Sequence, residues 1–512
     1  MTSEDAQQGP QGATGTEPRQ VDPSAQAGLG APDRDATFAS WLLGAALVFG
    51  LLRFVRLGEW SLWLDEVYAW GDSHAVQAVD AKVGYLLIRW TVEALGGTPS
   101  ETALRLTPAL IGYAAIPLTY WAFWPVAGRA RAATAALVVA LSAWEIQWSQ
   151  TARFYTMVQA LGLLGGGLSI RGLISGRWLL TVLGILLAGL GVLFHLEGAV
   201  VAGAIGAAAF LVPPVTAPAA RRSARLAFLA CAIPSMLALP FVWSVFTKYL
   251  EKKAAQSPVA SVAHFALTVG SFVTPTVAAL ALGSFIVAWR GKDRGAVFVG
   301  SVAVIGGATL AGVAAFATMS AQYAFAFFPW IALLAAWPIG RSGGSRVGAS
   351  PAGNRSAEES PAGPRALWLL VLAVPLLSQS VLYFTVDRGQ RARWREAVEL
   401  VAARRSPEDI VIGAPAPVVE FYLTGGREAD VRHHDAVISL DRYNPDPFES
   451  LENDSRVAWF VIRNDYNLSL ARRDRERLQR FLTERCQFVE HFPVLVEARD
   501  LSISVWRFDP NE

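Results

Sequence analysis

Two adjacent carboxylates, Asp65 and Glu66, stand inside the string Trp-Ser-Leu-Trp-Leu-Asp-Glu-Val-Tyr-Ala-Trp at residues 60–70, with Trp60, Trp63 and Trp70 around them. Aromatic side chains gather where a membrane span meets water. A carboxylate pair inside such a belt is costly unless a partner or a task offsets the desolvation. One carboxylate could act as general base on a hydroxyl while the other binds a divalent cation or orients the first. A solvated helix cap just outside the bilayer is the alternative reading of the same residues.

Four further groups carry charge or hydrogen-bonding capacity near apolar runs. The string Ser149-Gln150-Thr151-Ala152-Arg153-Phe154-Tyr155 contains an arginine whose planar guanidinium suits two-point binding of a phosphate, or equally a snorkelling helix anchor. His195 and Glu197 end one apolar run, and Gln322 and Tyr323 open another. Lys248, Lys252 and Lys253 fall in what reads as a loop after the seventh run, where a phosphate-bearing partner would explain a basic cluster and solvated surface would explain it too.

The elements that must position these groups are membrane helices. Of 512 residues, 53% are hydrophobic and 17% charged, with a mean hydropathy of +0.35, against roughly 25% charge in a soluble domain. The apolar residues fall in runs near the ~20 residues that cross the hydrocarbon. Phe38–Leu57 is the first span and no signal peptide; further spans are expected at 106–127, 132–150, 154–171, 177–195, 197–216, 226–246, 275–290, 295–318, 322–340 and 366–386, about eleven in all. The net charge of +2, without a basic aromatic stripe, excludes nucleic acid as a partner. Cys231 and Cys486 fall in different environments and are not expected to pair.

Every second loop is short and basic: Arg129 and Arg131, Arg171 and Arg177, Arg221 with Arg222 and Arg225, Arg290 with Lys292 and Arg294, then Arg341, Arg346 and Arg365. The positive-inside rule places these loops, and a disordered tail at residues 1–36, in the cytoplasm. The transmembrane region then covers 37–386, with a first outer loop at about 58–103, and residues 387–512 lie outside. That last segment reads as a small α/β domain, with helices at Arg393–Arg405 and Ala471–Cys486 and strands at Asp409–Gly413, Val457–Arg463 and Leu501–Phe508. A linker rich in Gly, Ser, Pro and Arg at about 342–365 precedes it. No P-loop or dinucleotide motif and no solenoid repeat is present. On this topology the acidic pair, Arg153, His195, Glu197, the lysines and Tyr323 all face the outer leaflet. There a site could meet a lipid-borne phosphate and an external acceptor.

The same residues resemble the GT-C glycosyltransferases, specifically the bacterial branch similar to dolichyl-phosphate-mannose protein mannosyltransferases and aminoarabinose lipid A transferases. The resemblance runs over most of the membrane region: the acidic pair after a Trp at Asp65-Glu66, Arg105-Leu-Thr-Pro-Ala-Leu, the turn at Gly128-Arg129, Leu141-Ser142 through Ser149-Gln150 to Ala152-Arg153 and Tyr155, and Tyr323 with Pro329. Trp394-Arg395-Glu396 opens a segment similar to the outer domain of that branch. The resemblance implies a multi-pass enzyme of the inner (plasma) membrane that moves a sugar from a polyprenyl-phosphate donor to an acceptor, whether protein, lipid or glycan. It implies Asp65 as base, Glu66 as its neighbour or as ligand of a divalent cation, and Arg153, with Tyr155, Tyr323, Lys248, Lys252 and Lys253, as candidates to hold the donor phosphate.

The pattern departs from the family at three places. Asp80-Ala81-Lys82 precedes Tyr85 where relatives have His-Pro-Pro before paired tyrosines, which makes Asp80, Lys82 and Tyr85 further candidates. Thr151 stands for a frequent Glu, a lost cation ligand, and Gln322 for a frequent Arg. Two other classes make distinct demands on the sequence. A transporter or flippase of lipid-linked sugars needs ionisable residues deep in the spans, where Glu145 comes nearest. A non-catalytic scaffold needs none of the acidic or basic pairs.

Overall fold

The structure is a computed structural model, and it describes residues 34–74, 83–256, 261–317, 319–340, 363–426, 437–440, 451, 455–465, 470, 472–496 and 499–511. Asp80 and Lys82, the tail before residue 34 and the linker at 341–362 lie outside the described residues.

In hydrocarbon every backbone N–H and C=O needs a partner within the chain, so apolar runs fold as helices. Among the described residues, six are long and apolar enough to cross a membrane: Asp35–Phe54, Glu101–Ala127, Tyr155–Ser175, Arg294–Ala314, Ala321–Ile339 and Arg365–Thr385. The protein is a multi-pass membrane protein. Trp41, Leu179, Met236 and Leu267, all left well exposed, belong to the surface that such a bundle presents to lipid.

Several of the eleven expected spans are not single straight helices. The 132–150 run divides into Arg129–Leu141 and Ala143–Ser149, because Ser142 adopts an extended ψ of 122° and its hydroxyl accepts from the Glu145 N–H at 3.4 Å. The runs at 177–195 and 197–216 become the shorter helices Trp178–Leu193 and Glu197–Leu211. Val262–Val273 and Pro275–Arg290 meet at a bend of 101°, where Thr274 takes a φ of 67° and caps Val277. Lys248, Lys252 and Lys253, expected in a loop, lie instead in the last turns of the helix Pro218–Gln256. Leu250 through Ala255 are good helix formers, and no breaker comes before Ser257-Pro258.

Small residues set the closest helix approach. A Cβ on Gly165 would lie 2.4 Å from the Gly184 carbonyl oxygen, so helices Tyr155–Ser175 and Trp178–Gly189 touch backbone to backbone.

Residues 394–508 contain a mixed five-stranded sheet of order β2-β1-β3-β7-β4. Its strands are β1 Ile410–Ala414, β2 Ile438–Ser439, β3 Ala458–Arg463, β4 Gln487–Phe492 and β7 Ile503–Phe508; β5 Leu495–Val496 and β6 Arg499–Asp500 form a separate short ladder. The pair β1–β3 is parallel in the register Ile412 to Phe460, and β3–β7 antiparallel in the register Val461 to Val505. The helix Trp394–Arg404 buries Trp394, Ala397, Val398 and Val401, one face of a 3.6-residue period.

This C-terminal part is tied to the loop after the first span. Arg395 pairs with Glu101 and donates to the Gly58 carbonyl at 3.0 Å, and its own N–H donates to the Ser61 hydroxyl at 3.0 Å. Tyr422 donates to Glu101 at 2.9 Å and accepts from the Leu62 N–H at 2.6 Å, while the Trp70 indole donates to the Gly426 carbonyl at 3.3 Å. Burial pushes the Tyr422 phenol up, and the Glu101 carboxylate beside it adds to the rise.

Candidate active site

The acidic pair opens the helix Leu64–Asp72, with Asp65 and Glu66 in its first turn, where unpaired backbone N–H groups favour negative charge. Successive helical residues project about 100° apart. Glu66 therefore turns into the protein while Asp65 is left half-buried at its edge.

Glu66 is completely buried and held on all sides. Arg105 donates to it through two nitrogens, Nε to Oε1 at 2.8 Å and Nη2 to Oε2 at 2.9 Å. Arg391 Nε lies 3.5 Å from Oε2, the Ala152 N–H donates to Oε1 at 2.9 Å, and the Trp63 N–H donates to Oε2 at 3.1 Å. Burial pushes the carboxyl up, but the Arg105 and Arg391 guanidiniums and these hydrogen bonds outweigh it and hold it below its usual range. Arg105 uses all five of its N–H groups, the other three contacts going to the carbonyls of Leu57 (3.1 Å), Trp60 (2.8 Å) and Ser61 (3.0 Å). The loop carrying the acidic pair is thus bolted to the helix Glu101–Ala127.

Glu66 is the carboxylate expected as a possible cation ligand, and its surroundings are already cationic. Both of its oxygens already face guanidinium groups, and a metal ion there would add a third positive charge. Thr151, at the position where relatives often have Glu, accepts from Arg391 Nη2 at 2.7 Å, so a cation already sits beside it. Among the described residues no cluster of three or more His, Cys, Asp or Glu side chains has the spacing to hold a metal.

Asp65 faces a different set of groups. Its carbonyl accepts from Arg153 Nη1 at 3.0 Å. The Arg153 guanidinium lies 5.5 Å from the Tyr85 ring centroid and 5.0 Å from that of Phe154. Burial pushes the Tyr85 phenol up, with the Arg153 charge pulling the other way. From there an aromatic wall continues. His195 stacks on Phe154 (4.8 Å, 15°) and on Tyr323 (5.3 Å, 21°), Tyr155 lies 6.5 Å from Tyr323, and Trp148 meets Tyr155 at 4.5 Å and Trp63 at 6.3 Å. Glu197 backs the wall. Its Oε1 accepts from the Ala326 N–H at 3.3 Å, its N–H donates to His195 Nδ1 at 3.3 Å, and its Oε2 lies 4.0 Å from that nitrogen.

Three buried N–H donors in this cluster, Arg153 Nε, Trp63 Nε1 and Trp148 Nε1, find no hydrogen-bond acceptor among the described residues. A region rich in donors beside one partly exposed carboxylate can bind an anion and move a proton. The structure brings Asp65, Arg153, Tyr85, Tyr155, His195, Glu197 and Tyr323 into one contiguous cluster. Lys248 is exposed on its helix, and the side chains of Lys252 and Lys253 lie outside the described residues.

Sequence reasoning did not single out Arg391 or Tyr422, and it quoted Arg105 only within a longer string. The one signal for Arg391 was its place in the basic run Arg388 to Arg395, which also reads as ordinary solvated surface.

The membrane helices, the acidic loop laid over them and the C-terminal sheet together form a fold shared with solved membrane-protein structures. Among solved structures, the chain is similar to ArnT from Cupriavidus metallidurans in the apo state (TM-score 0.54, 16% identity, covering 91% of this chain and 98% of that one). It is likewise similar to the same protein bound to undecaprenyl phosphate (TM-score 0.53, 16% identity, 91% and 98% covered). A third similar structure is the archaeal oligosaccharyltransferase AglB from Archaeoglobus fulgidus in complex with an inhibitory peptide and a dolichol-phosphate (TM-score 0.52, 13% identity, 90% and 75% covered). No family model matches the sequence. No curated protein matches it either.

Proposed function

We propose that this protein is a membrane glycosyltransferase that moves a sugar from a polyprenyl-phosphate donor to an acceptor at the extracytoplasmic face. The observation that carries the reading is the division of labour in the acidic pair. Glu66 is neutralised by two arginines, while the Asp65 carboxylate makes no hydrogen bond to a described residue and stands in a cluster where Arg153 Nε and the indole N–H groups of Trp63 and Trp148 have no acceptor among the described residues. The polyprenyl phosphates bound to two structures of the same fold support the donor class.

In this mechanism Asp65 takes the proton of an acceptor hydroxyl as that oxygen attacks the anomeric carbon. The bond from the anomeric carbon to the phosphate oxygen breaks with inversion, and the lipid phosphate leaves as an anion. Arg153 meets the developing charge, with the indole N–H groups of Trp63 and Trp148 as further donors and Tyr155, Tyr85 and Tyr323 lining the approach. Lys248, Lys252 and Lys253 would attract the anionic donor to that end of the bundle. The proton on Asp65 then returns to water. Glu66 and Arg105 act through the loop they hold, as positioning residues. The short basic loops support an N-terminus in the cytoplasm and a C-terminal sheet outside, on the side of an inner (plasma) membrane where Asp65 would work.

The test is transfer by the purified protein from a panel of radiolabelled polyprenyl-phosphate sugars. Release of label from one donor, lost in Asp65→Asn, is the expected result. Parental transfer by that variant would remove Asp65 as base, and movement of intact lipid-linked sugar across vesicles without release would identify a flippase.

A further inference from the structure

The short helix Ala143–Ser149 sends Trp148 into the Asp65 cluster and Trp144 and Gln147 into the wall of a cavity of about 210 Å³. Phe272, Gln379, Asp387 and Gln390 complete the part of that wall that carries chemistry. Among the described residues no lysine or arginine lines it, which favours a neutral complement over a phosphate. Three primary amides offer neutral donors and acceptors and one carboxylate a charged acceptor, a set that reads vicinal hydroxyls.

On the aromatic side, Trp144 and Phe272 lie stacked with centroids 5.6 Å apart and planes 24° from parallel. Trp144 is packed among Phe272, Phe325 and Phe328 and backs Phe272, whose half-buried ring is the aromatic surface left for the C–H face of a sugar, while the polar groups of the wall fix its orientation. Trp144 is buried, and its indole N–H finds no acceptor among the described residues. The amides are already oriented: Gln147 Nε2 donates to Gln390 Oε1 at 3.1 Å, and Gln379 Nε2 donates to the Ser271 carbonyl at 3.4 Å. At 210 Å³ the cavity is smaller than the roughly 300–1,000 Å³ that holds a drug-sized ligand, and one ring fills it.

The backbone beneath Gln390 is held in an unusual state. Arg388, Gly389 and Gln390 adopt φ of 48°, 63° and 55° in succession, two of them without glycine's freedom. Side-chain packing of Trp60 against Gly389 and the amide pair Gln147–Gln390 keep this turn in place. Non-glycine residues persist in this region only where the surroundings over-determine them, and such turns cluster at binding sites.

We propose that this cavity binds a single neutral sugar ring through its hydroxyls, as a subsite distinct from the Asp65–Arg153 cluster. Its assignment to a sugar of the reaction, from donor or acceptor, rests on the transfer reading; the affinity for a sugar ring does not. The test uses the full chain in detergent and saturation-transfer NMR with a panel of methyl glycosides, hexoses and pentoses. Gln379→Leu removes one amide, and Gln390→Gly removes another while relaxing the left-handed backbone. At least one glycoside should bind the parent and Asp65→Asn alike, and each cavity variant should lose tenfold or more in affinity at unchanged unfolding temperature. Competition by a polyprenyl-phosphate sugar would assign the subsite to the donor, and binding alongside it would assign it to the acceptor. Parental affinity in both variants, or no glycoside binding at all, overturns the subsite. Binding lost in the variants of a protein that transfers no sugar would sink the transfer reading and keep the subsite.

Discussion

Replacing Glu66 by Gln keeps the shape of the side chain and removes its charge, leaving Arg105 and Arg391 buried beside a neutral amide. Four donors converge on the two carboxylate oxygens, and the amide NH₂ of Gln would have to face at least one of them. Breaking a buried ion pair from one side costs about 3–5 kcal/mol, a large part of the roughly 5–15 kcal/mol that separates folded from unfolded chains. Asp65→Asn, at a half-buried position with no such partners, should change stability by less than about 0.5 kcal/mol. Thermal unfolding of the purified protein at neutral pH, followed by tryptophan fluorescence, reads both. The sign of the pH dependence follows from Glu66 being held below its usual range when folded. Its stabilisation is complete above the unfolded value of about 4.3 and is lost as pH falls through the lower folded value. The parent should therefore show an acid step below about pH 4 that Glu66→Gln lacks. If Glu66→Gln unfolds no earlier than Asp65→Asn, the clamp around Glu66 does not carry the loop.

In the transfer assay Asp65→Asn should fall by about 100-fold or more, the usual contribution of a general base, while folding as the parent does. Arg153→Lys keeps a charge but loses the planar group between Tyr85 and Phe154 and its bond to the Asp65 carbonyl; transfer should fall roughly tenfold, and donor KM should rise if the guanidinium meets the phosphate. Gly389→Ala would place a Cβ 2.2 Å from Trp60 Cε3 at a φ of 63°, so unfolding should come earlier by about 1–3 kcal/mol; an unchanged melting curve would mean that this turn is free to move. Gly184→Leu would drive a Cβ to 2.5 Å from the Gly165 carbonyl, separating two helices, and should reduce the folded yield recovered from membranes.

The helical character of the membrane region is legible in the apolar runs, since length and composition alone mark Arg294–Ala314 or Arg365–Thr385 as spans. The breaks are less so. Ser142 and Thr274 divide or bend their runs by capping the next helix, a local hydrogen bond that hydropathy averages away. Lys252 and Lys253 misled in the opposite direction: charge suggested a loop, while the propensity of the residues around them continued the helix. In the candidate site, Arg153, Tyr155, Tyr323 and His195 were readable as polar groups at the ends of apolar runs. Their mutual stacking was not, because it depends on segments far apart in the chain meeting.

The acidic pair shows where one-dimensional reading stops. Asp65 and Glu66 are neighbours of nearly equal chemistry, and nothing in their immediate string says which is free to act. The distinction comes from Arg105, 39 residues away, and from Arg391 in the segment that leads into the C-terminal sheet. Arg105 alone would neutralise Glu66 and tie down the loop. Arg391 adds a second cation that also bonds Thr151 and lies 5.3 Å from the Trp63 ring, so the loop, the Ser149–Tyr155 string and the C-terminal part meet on one carboxylate. Because the contacts that hold Glu66 leave the Asp65 carboxylate without a hydrogen bond to a described residue, the pair can keep one acid fixed and the other available for a proton. Docking of the C-terminal segment reinforces that separation through Arg391. Weakening the Arg395–Glu101 and Tyr422–Leu62 contacts should then act on Asp65 at a distance, through Glu66.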